Sequence, residues 1–111
     1  MATGISEQTY LVMLALADEP RHGYGVLREV KALSGGRVAL GAGTLYGVLD
    51  RLVERGWAQM SDEVVVDGRL RRYYRLTDEG LAQVTAETER LRELAARARR
   101  VLAARPALGG A

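Results

Sequence analysis

The chain has 111 residues, no cysteine, and a formal charge of only +2 from 16 lysines and arginines against 14 acids. These values exclude a disulfide frame and a thiolate metal site. They bound the chain to one domain, or one domain with an added element, whose large surface fraction favours dimerisation. Lys31 is the sole lysine, so the pI of about 9.3 is carried by arginine, whose fork suits phosphate and guanine. A GC-rich genome supplies scattered arginines equally well, so position counts for more than number. The N-terminus lacks a basic region followed by a long apolar stretch. No run approaches the roughly 18 apolar residues of a membrane span, and a soluble cytoplasmic protein is expected.

Ser6 can cap a first helix that runs to about Ala17. Its apolar positions, Tyr10 through Leu14 and Leu16, nearly encircle it, which places it in a core or an interface. Asp18-Glu19-Pro20 ends it. A second helix begins near His22 or Gly23, carries Leu27, Val30 and Lys31, and stops at Ser34-Gly35-Gly36. Val38 to Leu40 is a short extended link. A third helix is predicted from about Ala42 to Arg55, with Leu45, Val48, Leu49, Leu52 and Val53 on one apolar face and Thr44, Gly47, Arg51 and Glu54 on the other. Gly56 supplies its left-handed stop.

Trp57 to Val66 reads as a strand, Asp67-Gly68 as a two-residue hairpin turn, and Arg69 to Leu76 as the returning strand. Alternation sends Leu70, Tyr74 and Leu76 one way and Arg69, Arg71, Tyr73 and Arg75 the other. Thr77 caps a last helix, with Asp78 and Glu79 in its first turn, that continues to about Ala104 before Pro106. Leu81, Val84, Thr88, Leu91, Ala95, Ala98 and Leu102 fall at three- and four-residue steps, a heptad-like seam that wants a partner helix.

Three short helices and a hairpin give the winged helix-turn-helix order. The fold is expected to be mainly α with a small β-hairpin: a winged helix-turn-helix DNA-binding domain over 1–76, a long C-terminal dimerisation helix over 77–104, and a flexible tail over 105–111. The third helix would enter the major groove. Gly43 and Gly47 keep that helix slim, so its backbone can approach a phosphate. Arg51 is suited to fork onto guanine, although it could equally be a solvated arginine paired with Asp50 or Glu54. Arg69, Arg71 and Arg72 bracket the hairpin turn, where phosphate or minor-groove contact competes with an ordinary solvated surface. His22 is the only histidine, so no metal site is expected and a helix-start hydrogen bond is the better reading. Asp18-Glu19 and Asp62-Glu63 read as solvated surface. No catalytic constellation or phosphate-binding glycine motif is present, so an enzyme is set aside and no cofactor is expected.

These residues resemble the PadR family of bacterial transcriptional regulators. The resemblance rests on His22-Gly23-Tyr24, on Gly43-Thr44-Leu45-Tyr46 with Leu49, Arg51-Leu52 and Gly56, and on Arg72-Tyr73-Tyr74-Arg75-Leu76-Thr77 with Gly80. It covers about residues 5 to 104. Two departures are Gly41, where the family commonly has a capping serine, and Gly47, in place of a frequent proline. The resemblance implies a homodimer whose C-terminal helix packs on the partner's first helix, as in the short subfamily. It also implies a repressor that binds double-stranded DNA at an inverted-repeat operator, often its own. On that basis the expected DNA-facing residues are Gly43, Thr44, Tyr46, Gly47, Arg51, Arg69, Arg71, Arg72 and Tyr73. The expected dimer residues are Tyr10, Met13, Leu81, Val84, Thr88, Leu91, Ala95, Ala98 and Leu102. Some relatives bind flat aromatic drugs or phenolic acids between subunits, which would place a small aromatic effector near Tyr10 and Leu91, although plain interface core is the better reading of those two residues. The competing expectation is a winged-helix protein-interaction module that does not read DNA.

Overall fold

A computed structural model describes residues 5–106. Helix α1 spans Glu7–Ala17, α2 Gly23–Leu33, α3 Ala42–Glu54 and α4 Asp78–Ala104. Strands β1 (Arg21–His22), β2 (Ala58–Val66) and β3 (Arg69–Leu76) form one antiparallel sheet in the order β1-β3-β2. Within the described residues the molecule measures 65 × 30 × 21 Å, elongated by the 27 residues of α4. Residues 107–111, most of the expected flexible tail, lie outside the described residues.

Local chemistry accounts for most boundaries. The Ser6 hydroxyl caps α1 by accepting from Thr9 N–H at 3.1 Å. His22 caps α2 through Nδ1, which accepts from Gly25 N–H at 3.2 Å. Gly41, with no side chain to offer, starts α3 without a side-chain cap. Asp67 and Gly68 both have positive φ, as a tight hairpin turn requires.

Helix α1 is the hub. It packs on α2, α3, α4 and β3, and buries Leu11, Val12, Met13, Ala15 and Leu16. Its nearly all-round apolar character therefore belongs largely to the chain's own core. Met13 and Val84, expected at a dimer interface, are both buried in that core and unavailable to a partner in this arrangement. On α4, Val84 is packed inside the same chain, whereas Leu81 and Thr88 on either side of it along the seam are exposed.

Three further expectations need correction. Strand β1 was not anticipated, because two residues carry no periodicity of their own and pair only with Tyr73 and Tyr74 of β3. Val53 is exposed, since it sits just past the stripe that Leu45, Val48, Leu49 and Leu52 present to the core. Leu70 is 58 % exposed, because the hairpin overhangs the core beyond Tyr74. Asp18 and Glu19 are exposed, as expected, and their carboxylates flank Arg21 at 3.3 and 3.4 Å, while Arg21 Nε donates to the Ala15 carbonyl at 2.7 Å.

The start of α4 is fixed by close backbone contact. Thr77 N–H donates to the Trp57 carbonyl at 3.0 Å, and its hydroxyl donates to the Gly56 carbonyl at 2.6 Å. The same hydroxyl accepts from Gly80 N–H at 3.1 Å. A Cβ on Gly80 would stand 2.0 Å from the Trp57 carbonyl oxygen. The obstacle is backbone, so it cannot rotate away. Gly80→Ala is therefore expected to destabilise the fold by about 1–3 kcal/mol or more. Urea unfolding of the variant beside the parent checks this, and an unchanged midpoint would show that α4 can shift to make room.

Candidate nucleic-acid interface

A groove of about 540 Å³ opens between the starts of α2 and α3 and the overhanging hairpin. Tyr24 and Tyr46 line one side, and Leu70 with Arg69, Arg71 and Arg72 line the other. Tyr46 reaches across α2 because Gly23 lacks a side chain. A Cβ there would lie 2.4 Å from the Tyr46 hydroxyl oxygen.

Of the residues expected to face DNA, Tyr46, Arg69, Arg71 and Arg72 share this groove. Gly43 and Thr44 are exposed beside it on the first turn of α3, and Gly47 is half-buried one turn further on. Arg51 is not in the groove. It lies on the other flank of α3, where it shares a shallow cleft with Arg55, Ser6 and Thr9. It forms no ion pair with Asp50 or Glu54. Tyr73 is half-buried and packs edge-on against His22 at 5.2 Å, so its ring joins the hairpin to α2.

The arginines divide by their partners. Arg21, Arg37, Arg90 and Arg92 are paired with acids away from the groove. On the hairpin, Arg72 is paired with Glu63 at 3.2 Å. Among the described residues, Arg51, Arg55, Arg69 and Arg71 have no acidic partner, and neither do Arg28, Arg75, Arg97, Arg99, Arg100 and Arg105. Arg71 stands 3.5 Å from His22 Nδ1, and Arg28 lies over the Tyr24 ring. His22 and Tyr24 were quoted from sequence as a motif but not as part of the site. Their position on the groove wall follows from β1 pairing, for which the sequence gives no local signal.

The second cluster of expected residues lies on α1 and α4. Tyr10 and Leu91 line one groove of about 460 Å³ with Leu11, Leu33, Arg37 and Arg90 among its walls. The Thr88 hydroxyl donates to the Val84 carbonyl at 2.8 Å, so Tyr10 supplies the proton for their 2.6 Å contact. Glu87 is buried beneath Arg90, whose hydrogen bonds hold its carboxyl below the usual range against the opposing effect of burial. Beyond Leu91 the helix is exposed throughout, and Val101 and Leu102 are 69 % and 62 % exposed. Leu81, Thr88, Ala95 and Ala98 are exposed as well. Among the described residues no group of His, Cys, Asp and Glu suits a metal, and no helix is long and apolar enough to cross a membrane.

The model of the transcriptional regulator PadR-like family matches residues 12–86. This chain belongs to the PadR-like family. The transcriptional regulator Rv3488 of Mycobacterium tuberculosis is 43 % identical over 79 residues, which is 71 % of this chain and 70 % of that protein. A PadR-like transcription factor from Bacteroides fragilis superposes with a TM-score of 0.71 at 26 % identity, covering 85 % of this chain and 88 % of that one. Bacillus subtilis PadR, solved in complex with operator DNA, has the same fold with a TM-score of 0.64 at 18 % identity. The alignment takes in 73 % of this chain but 46 % of that larger protein. Members of the PadR-like family are transcriptional regulators and not enzymes, which gives the cationic groove a context that geometry alone lacks.

In this PadR-like chain His22 joins cap and groove. Burial lowers its pKa first, and the cations of Arg71 and Arg28 lower it further. The fold thus uses the neutral ring, whose Nδ1 accepts at the α2 cap. Its contribution to stability is complete above the ordinary value of 6.5 and is lost as pH falls through that value toward the folded one. Urea midpoints should therefore fall between pH 7.5 and pH 5.5 in the parent. The fall should be smaller in His22→Asn, which keeps a capping acceptor but cannot titrate. Parallel pH profiles for the two proteins would remove this role.

Proposed function

We propose that this protein is a homodimeric, sequence-specific DNA-binding repressor acting in the cytoplasm on an inverted-repeat operator, its own or that of a neighbouring operon. Residues up to 76 form the DNA-binding part and 77–104 the dimerisation helix. The observation that carries the reading is the placement of unpaired arginines around α3. Arg69 and Arg71 on the groove and Arg51 and Arg55 on the opposite flank have no acidic partner among the described residues. A surface left with unpaired guanidiniums on both sides of a slim helix suits a polyanion.

In this arrangement α3 enters the major groove by its first turns. Gly43, Thr44 and Gly47 let the backbone come close, and Arg51 reaches a guanine or a phosphate on the α1 side. The sugar–phosphate strand runs in the groove between α3 and the hairpin, held by Arg69 and Arg71 and flanked by Tyr24, Tyr46 and Leu70. A protein-interaction module would not need arginines on both sides of α3.

Replacing Arg69 and Arg71 by Ala should weaken binding to matched and scrambled DNA alike. Each lost phosphate contact flattens the plot of log K against log salt by about 0.9, or about 1.8 per dimer. Arg72→Ala should do less, because Glu63 already neutralises it. Salt titrations of the three proteins on both duplexes decide this. A larger effect at Arg72 would reverse the assignment.

Two copies are joined through the exposed half of α4. Leu91, Leu94, Ala95, Ala98 and Leu102 supply its apolar face, and the partner's first helix or α4 covers it. Leu102→Glu, far from the core, should give monomer by sedimentation at micromolar concentration without loss of helix signal. A wild-type monomer under the same conditions would remove the dimer. A planar aromatic effector fits the groove at Tyr10 and Leu91, where it would act by favouring a spacing of the two recognition helices other than the roughly 34 Å of successive grooves.

A further inference from the structure

Helix α3 carries an outward ridge opposite its buried face. Gly43, Gly47, Asp50 and Glu54 follow one another at steps of four, three and four residues, so they share one line along the helix. Its first two members are glycines, which weaken a helix interior. Neither is required from within. Both belong to an ordinary helix without positive φ. A Cβ on Gly43 would meet nothing within 4 Å, and one on Gly47 would meet only the Arg51 guanidinium at 3.8 Å. The two glycines leave a notch in the ridge that nothing within the described residues fills.

Asp50 is the first side chain on this ridge beyond the notch. It is exposed, and it takes part in no ion pair and no side-chain hydrogen bond among the described residues. It does not cap α3, since it lies past the first turn. Burial first, and then the charges of Tyr46 and Asp50, raise the pKa of the core residue Tyr74, while Arg72, itself held by Glu63, acts in the opposite sense. An unpaired carboxylate thus stands on the ridge of α3 next to the glycine notch, with a second, Glu54, one turn further on.

We propose that Asp50 is a specificity-determining residue that accepts a hydrogen bond from the exocyclic N4 amine of a cytosine in the major groove. This rests on the DNA-binding reading above. The choice of base follows from the groove's donor pattern. Only cytosine N4 and adenine N6 present donors there, and adenine sets the N7 acceptor beside its amine, where it repels a carboxylate. Guanine and thymine present acceptors at that edge and are rejected by the same charge. The carboxylate therefore lowers affinity for most sequences and leaves one base pair tolerated in each half-site, which is discrimination by penalty.

The test starts from the duplex that the full-length wild-type protein enriches from a randomised pool. Failure to enrich any duplex would remove the DNA-binding reading itself. On the enriched duplex, replacing the contacted cytosine by an analogue that lacks the N4 amine should weaken the wild type about 5- to 150-fold per half-site. The same replacement should leave Asp50→Ala unaffected. Asp50→Asn, of nearly the same shape, should shift the preferred base at that position from cytosine to adenine, because its amide offers the donor and acceptor that adenine matches. Enrichment of the same sequence by wild type, Asp50→Ala and Asp50→Asn would overturn the proposal. So would an Asp50→Ala protein that binds every sequence more tightly with its preference intact, since the carboxylate would then only repel phosphate.

Discussion

The junction where Gly80 passes beneath the Trp57 carbonyl fixes the relation of every other part. Four pieces of chain meet there: the end of α3 at Gly56, the root of β2 at Trp57, the end of β3 at Thr77, and the first turn of α4. Because the contact is backbone against backbone, it has little compliance. The hairpin emerges on one side of it and α4 on the other. The angle between the cationic groove and α4 is therefore set by a contact of a few atoms. A displacement of α4 arrives at the root of the hairpin and the end of α3 together.

The interface is tied down a second time at β1. The two residues Arg21 and His22 pair with the inner part of β3 and lead directly into α2. His22 then serves as cap, as packing surface for Tyr73, and as neighbour of Arg71. The hairpin overhangs the core, yet its base is held from both edges. Toward the tip Val65 faces Leu70, and both are exposed.

Much of this was legible in the sequence wherever the deciding chemistry is local. Ser6 and Thr77 cap helices, Gly56 stops α3, and Asp67-Gly68 turns the hairpin, because each acts on neighbours within a few residues. What escaped depends on distant partners. Strand β1 is too short to announce itself. Met13 and Val84 lie on apolar stripes that do not reveal whether the same chain or another one covers them. Leu70 alternates correctly but lies past the end of the core. Of the candidate site, the residue types on α3 and the hairpin were readable. Their division into a groove side with Tyr46 and a far side with Arg51 was not, since helical spacing alone does not say where the hairpin folds over. The pairing state of the arginines was likewise invisible.

That pairing state turns on one residue. The register of β2 against β3 slips between Met60 and Asp62, leaving Ser61 as an extra residue. Continued without the slip from Met60 opposite Tyr74, the ladder would set Asp62 across from Arg72 and Glu63 across from Arg71. With it, Glu63 faces Arg72 and Arg71 faces Val64. The bulge thus decides whether Arg71 stands opposite an acid or is left unpaired, while Arg72 faces a carboxylate in either register. A single-residue insertion or deletion in β2 could raise or lower the ionic-strength sensitivity of such a hairpin while every arginine stayed in place. Counting basic residues in a sequence therefore misjudges the charge a wing presents, because the valence is written in the strand register.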